Sequence, residues 1–255
     1  GLVESMDDAV GVVLDELENQ GIDKETIVIF TSDNGGVSSG DSFSTSNLPL
    51  RGGKGYQWEG GIREPYFIKV PWLKNNGTES NFPVMGTDFY PTILDLAKID
   101  LMPSQHIDGI SLKPLLEGKK MDVERPLFWH YPHYGNQGGE PSSIIQENGF
   151  KLIHYWEDGR EELYKLDADI GEKNNIIEMH APLAKQMGDK LMFWLNDVND
   201  NMPSVDPDYD SKLADERHEM LVNEKLPSLE KARMEVLSKD FKPNDDWWQS
   251  QITKD

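Results

Sequence analysis

Thr26-Ile27-Val28-Ile29-Phe30-Thr31-Ser32-Asp33-Asn34-Gly35-Gly36 is a β-branched and aromatic run that stops abruptly at a turn. Thr26 to Phe30 read as a strand buried on both faces, the pattern of a parallel sheet covered by helices. Asp33-Asn34-Gly35-Gly36 is a turn signal at the carboxyl end of that strand. In open α/β sheets that end is where ligands collect. An aspartate and an asparagine in tandem offer one charged and one neutral oxygen ligand, which suits Ca²⁺ better than Zn²⁺. The same pair would also serve as plain turn residues capping backbone groups.

A second patch follows. Leu50-Arg51-Gly52-Gly53-Lys54-Gly55-Tyr56-Gln57-Trp58-Glu59-Gly60-Gly61-Ile62-Arg63-Glu64-Pro65 gathers five glycines around one lysine and two arginines. The glycines allow backbone to approach a ligand closely, and the cations could meet an oxyanion. It is not a Walker loop, because Gly53-Lys54 is followed by Gly55 rather than Ser or Thr.

Taken in order, four stretches resemble the formylglycine-dependent sulfatase family of the alkaline-phosphatase-like superfamily: Glu4 to Gly11, Thr31 to Gly35, Arg51 to Gly55 and Glu59 to Pro65. The likeness continues weakly to about Asn175. It implies an α/β fold. Residues 1–120 would hold the remainder of a mostly parallel sheet with helices, and 121–200 a small C-terminal antiparallel sheet packed with a helix. Residues 201–255 would be a polar, helical tail. The implied activity is Ca²⁺-dependent removal of sulfate from a sulfated carbohydrate, in a periplasmic or secreted enzyme. Asp33 and Asn34 correspond to metal ligands, and Lys54 to the lysine that touches the sulfate near its bridging oxygen. Arg63 and Arg51 would brace the loop, through an ion pair such as Arg63 with Glu59 or Glu64, or contact substrate directly. His130 and His133, in an aromatic and Gly-rich stretch, and His106, beside Ile107-Asp108-Gly109, are candidates to line the sugar site.

The family's nucleophile arises from a Cys or Ser in a Cys/Ser-x-Pro-x-Arg motif. The chain has no cysteine, and its nearest look-alike, Asn47-Leu48-Pro49-Leu50-Arg51, has asparagine where the nucleophile belongs. The formylglycine is therefore expected in a missing N-terminal half, which becomes a partner of these residues, and residues 1–255 are expected to be inactive alone. Two other readings stay open: a phosphodiesterase or phosphonate hydrolase of the same superfamily, and an inactive fragment that only binds sulfated glycans. Asn34 favours sulfate, because phosphate-cleaving relatives commonly place His there, the nitrogen ligand that zinc prefers.

Composition narrows the partners. With 25 Lys and Arg against 46 Asp and Glu, the net charge is −21. No basic stripe is available to neutralise phosphates, which argues against nucleic acid. A sulfated ligand must instead be met by a local positive site. No apolar run approaches the ~20 residues that cross a bilayer.

The remaining pattern is legible as elements. Leu2, Met6, Val10, Val13, Leu14 and Leu17 fall at helical spacing, with Gly21 as C-cap. Val37 to Asn47 reads as a surface loop or lid, and Thr87 as the N-cap of a helix over 88–97. Short strands are expected at 125–131, 142–146, 151–156 and 162–166, with Asn148-Gly149 and Asp158-Gly159 as hairpin signals. An amphipathic helix spans 181–198 with Leu183, Met187, Leu191 and Leu195 inward. A charged helix at about 226–239 and an exposed-looking Trp247-Trp248 complete the tail.

Overall fold

The protein is described from a computed structural model covering residues 2–38, 45–75, 77–135, 137–198, 202–204 and 206–242. The expected lid is only partly within these residues, because 39–44 lie outside them, as does Trp247-Trp248. The chain divides into two compact units, Gly1–Thr31 with Pro65–Val123, and Ser32–Glu64 with Glu124–Asp255.

The first unit opens with helix α1, Leu2–Asn19. It ends as its sequence requires: Gly21 adopts φ +69°, Gly21 N donates to Glu18 O and Ile22 N to Leu17 O, the paired bonds of a Schellman cap. Of the apolar stripe, Val10, Leu14 and Leu17 are half-buried, whereas Met6 and Val13 remain exposed.

Strand β1, Val28–Thr31, starts later than the β-branched run suggests. Its partner is β2, Tyr66–Lys69, which follows helix α2, Glu59–Ile62, in the chain. Here the structure departs from expectation. The pair is antiparallel, with Ile29 opposite Ile68, and β1 is half-buried rather than buried on both faces. The physical reason is its surroundings: among the described residues β1 has one neighbouring strand and no parallel one.

Helix α3, Phe89–Leu96, carries Pro91 in its first turn, where its missing N–H costs nothing. Its anchor is the buried Asp88 rather than Thr87. The two Asp88 carboxylate oxygens accept from Met85 N at 2.8 Å and Ile110 N at 2.9 Å. Thr92 Oγ1 accepts from Leu112 N, and Asp95 holds Lys113 at 2.7 Å, so the short helix α4, Lys113–Leu116, is tied to α3.

The second unit is built on a four-stranded antiparallel meander, β3 (Leu127–Tyr131), β4 (Ser142–Glu147), β5 (Phe150–Tyr155) and β6 (Glu161–Lys165). Asn148 and Gly149 both have positive φ, +51° and +75°, as a two-residue hairpin needs. Helix α5, Ala181–Val198, covers one face, where Met187, Leu191 and Leu195 meet Ile145, Leu152 and Leu163. The other face is buried as well: Ile144, Ile153, Tyr155, Tyr164 and Leu166 pack with Trp58 and Ile62 from the Gly-rich segment. Further along lie α6, Ser211–Met220, a π-helical turn over Leu221–Lys225, and α7, Leu226–Val236.

Leu191 is fully buried, and Leu191→Ala should cost about 2–5 kcal/mol of unfolding free energy. Phe193, 77% exposed on the same helix, should change stability by less than about 0.5 kcal/mol when replaced by alanine. Denaturant titration of the two variants measures the contrast.

Candidate functional site

Asp33-Asn34-Gly35-Gly36 and the Gly-rich segment are held together by backbone at near-zero clearance. Gly35 N donates to Gly61 O at 3.2 Å, and a Cβ on Gly35 would lie 1.7 Å from Gly60 O. Lys54 N donates to Gly36 O at 3.1 Å, and a Cβ on Gly53 would lie 2.3 Å from that same oxygen. Only glycine permits such an approach. Asn47 closes the arrangement. Its Nδ2 donates to Gly36 O at 2.9 Å and Gly52 O at 3.0 Å, while its Oδ1 accepts from Gly36 N at 3.1 Å. The residue that looked like a failed nucleophile is a three-bond clamp.

Lys54 and the Asp33-Asn34 turn are thus brought into one framework. Asp33 is exposed, Asn34 and Lys54 are half-buried, and Ser32 Oγ donates to Asn34 O at 2.9 Å. Among the described residues Lys54 has no ion-pair partner, so its ammonium is available to an anion.

The donor chemistry fits a hard cation. Asp33 and Asn34 supply a carboxylate and an amide oxygen, and Glu64 adds negative field beside them. Burial first, and the Asp33 charge second, hold the Glu64 carboxyl above its usual range. Its Oε1 is buried with no hydrogen-bond partner among the described residues. A divalent cation would relieve that electrostatic cost. Among the described residues no three His, Cys, Asp or Glu side chains form a cage by themselves, so these oxygens would be part of a larger coordination set.

The two arginines brace. Arg51 Nη1 donates to Tyr164 Oη at 3.2 Å and Glu172 O at 3.0 Å, and its guanidinium lies 3.7 Å from the Trp58 ring centroid. Arg63 reaches Glu59 at 3.4 Å. Gln57 Nε2 donates to Tyr155 Oη at 3.1 Å. The loop is therefore pinned to β5 and β6.

The histidines separate. His130, on β3, lies 2.6 Å through Nδ1 from Ser143 Oγ, which also accepts from Trp156 Nε1 at 2.8 Å. Burial and the neighbouring His133 hold its pKa below the usual imidazole value. His133 is exposed and meets Tyr131 edge-on. The loop after it returns to the Gly-rich segment: a Cβ on Gly139 would lie 2.1 Å from Gly55 O, and one on Gly138 would strike Tyr56. His106 belongs to the other unit, where Nδ1 faces Gly109 O at 3.3 Å and Nε2 is buried without a partner among the described residues.

Sequence reasoning missed Lys151 and Glu172, and named Glu59 only as a partner of Arg63. Lys151 on β5 is fully buried between Glu59, 3.1 Å, and Glu172, 2.8 Å. Glu172 also adopts φ +49°, a region that non-glycine residues avoid. The available signal was weak: a lysine opening an otherwise apolar strand.

The family model described as "Sulfatase" matches residues 1–99, and "N-sulphoglucosamine sulphohydrolase, C-terminal" matches residues 53–198. A sulfatase of Formosa agariphila is 36% identical over 225 residues, covering 79% of this chain and 40% of that protein. The N-acetylglucosamine-6-O-sulfatase of Bacteroides thetaiotaomicron is 32% identical, covering 81% and 36%. The solved structure of BT4656 in complex with its substrate D-glucosamine-2-N,6-O-disulfate aligns with a TM-score of 0.65 at 30% identity, covering 79% of this chain and 40% of that one. The chain spans about two fifths of the length of these relatives.

Two substitutions test the framework without any substrate. Asn47→Ala removes three bonds to half-buried backbone and should lower unfolding free energy by about 1–3 kcal/mol. Gly35→Ala should cost more, since its Cβ would overlap Gly60 O. Equilibrium unfolding of both variants ranks them.

Proposed function

Because the chain belongs to the sulfatase family, we propose that it forms the metal-binding and lysine-bearing part of a Ca²⁺-dependent hydrolase that removes sulfate from a sulfated carbohydrate. The observation that carries this reading is the shared framework. Asp33, Asn34 and a Lys54 ammonium with no ion-pair partner among the described residues stand on two segments locked by Gly35 N to Gly61 O and Lys54 N to Gly36 O.

Sulfuryl transfer shifts charge among the sulfate oxygens and onto the departing alcohol oxygen. When bound, Ca²⁺ supplies Lewis-acid charge, and a formylglycine hydrate on an N-terminal half of the enzyme would supply the nucleophile. Asp33 and Asn34 would hold the cation through hard oxygens, and the charge near Glu64 would favour it. Lys54 places a compact ammonium against the sulfate near its bridging oxygen. Preorganised charge of this kind is commonly the largest single contribution to such catalysis. His130 and His133 face the sugar: the Ser143 contact fixes the His130 ring, and depressed basicity keeps it neutral for hydrogen bonding.

Glucosamine sulfates named for two relatives make a sulfated amino sugar the first substrate to try. The oxygen donor Asn34, in place of an imidazole, favours sulfate over phosphate esters. A periplasmic or secreted location belongs to the same reading. No helix among the described residues is long and apolar enough to cross a membrane.

In the full-length enzyme carrying these residues, Asp33→Ala and Lys54→Ala should each lower kcat/KM on a chromogenic aryl sulfate by about a hundredfold or more. A calcium chelator should abolish turnover and added Ca²⁺ restore it. Faster hydrolysis of the matching aryl phosphate would overturn the assignment in favour of the phosphate-cleaving branch. Residues 1–255 purified alone should release no sulfate. Turnover by that polypeptide would place a nucleophile within it.

A further inference from the structure

We propose that Glu172 and Lys151 are positioning residues for sulfuryl transfer, setting the loop that carries Lys54 through a buried ion cluster on the C-terminal sheet. This rests on the sulfatase reading above.

Glu172 grips both ends of that loop. At the entry its main-chain carbonyl accepts from Arg51 Nη1 at 3.0 Å. At the exit its carboxylate accepts from Glu59 N at 2.6 Å, the first N–H of α2. Between those two points run seven residues, Gly52 to Trp58, of which Lys54 is the third. Gly60 N to Arg51 O at 2.8 Å closes the base of the loop. Lys151 then fixes the grip, lying 2.8 Å from Glu172 and 3.1 Å from Glu59. All three side chains are at most 2% exposed.

Two features argue that this cluster exists for geometry more than for stability. A buried ion pair is on average no more stabilising than apolar residues of the same volume. Here β5 otherwise buries Leu152, Ile153 and Tyr155, so an apolar residue at 151 would continue the sheet's own pattern. Secondly, Glu172 is held at φ +49°, where glycine or asparagine would sit with less strain. A glutamate there is explained by what its carboxylate reaches. Strain of this kind persists where the surrounding structure over-determines it, commonly beside functional sites.

The consequence reaches the reacting groups along a short path. Glu59 opens the segment whose Gly61 O receives Gly35 N, and the loop it closes presents Lys54 N to Gly36 O. Relaxing the cluster therefore shifts Lys54 relative to the Asp33-Asn34 turn. A displacement of about 1 Å can lower a rate about a hundredfold.

The test uses the full-length enzyme and a chromogenic aryl sulfate, in a double-mutant cycle between positions 172 and 54. Glu172→Gln keeps the size of the side chain and an oxygen to accept Glu59 N, but removes the charge that holds Lys151. It should lower kcat by about ten- to a hundredfold with KM changed less than about threefold. In the Lys54→Ala background the same substitution should lose most of that effect, because it acts through Lys54. Lys151→Met serves as the second arm and should reproduce the pattern, with thermal melts and circular dichroism confirming a folded protein. Full additivity of Glu172→Gln with Lys54→Ala, or unchanged kcat in folded Glu172→Gln and Lys151→Met variants, would overturn the positioning role. Lys54→Ala with wild-type activity would instead overturn the sulfatase reading.

Discussion

A buried ammonium is stable only where opposite charge replaces the water it has lost. Lys151 meets that demand with two carboxylates, one from the turn after β6 and one from the start of α2. The two acidic chains would repel each other without it. Burial already holds the Glu172 carboxyl above its usual value, while the lysine pulls it the other way. Arg63 adds a second cation on Glu59 at 3.4 Å, so the cluster has two positive and two negative members. The cluster therefore ties the start of α2 and the turn after β6 to β5.

That demand explains why the C-terminal sheet is buried on both faces. A small antiparallel meander beside one helix would ordinarily leave its second face to solvent. Here Trp58 and Ile62 cover it, and Arg51, Gln57 and Glu59 bond to Tyr164, Tyr155 and Lys151 on the strands beneath. A loop with so many glycines has a large conformational entropy to lose. External pins on a rigid sheet supply the compensating interactions, so a flexible composition ends as a fixed shape. The division of labour follows: glycines let the backbones touch, and the sheet decides where they touch.

Much of this was legible in the residues. Period-2 runs and Asx-Gly turns located all four strands of the meander within two residues, and the spacing of Met187, Leu191 and Leu195 located α5 and its inward face. Those signals are local, and local physics enforces them. Pairings between distant segments were illegible. Thr26 to Phe30 reads as a strand of a covered parallel sheet, but its observed partner, β2, is antiparallel and arrives some forty residues later. Lys151 opens a strand as a solvent-facing lysine would, and nothing nearby announces Glu59 or Glu172. Asn47 was discounted because it lacked a nucleophile's chemistry, yet its amide has the donor and acceptor needed to join Gly36 and Gly52. The candidate site residues were chosen from local sequence, and the groups that bond to them are separated from them by up to 121 positions.

The charge of the chain bears on how the proposed site could work. At −21 the molecule repels a sulfated ligand, and screening confines that repulsion to about 8 Å at physiological ionic strength. Attraction must then be generated at short range. Arg51 is bonded to Tyr164 and the Glu172 carbonyl, and Arg63 is paired with Glu59, which leaves Lys54 as the cation of that loop with neither a side-chain hydrogen bond nor an ion pair among the described residues. Asp33 and Glu64 lie close enough to repel each other, and their field favours a divalent cation before it tolerates an anion. In the proposed enzyme the metal is thus a condition of substrate binding as well as of chemistry, because the residues that hold it would otherwise expel the sulfate.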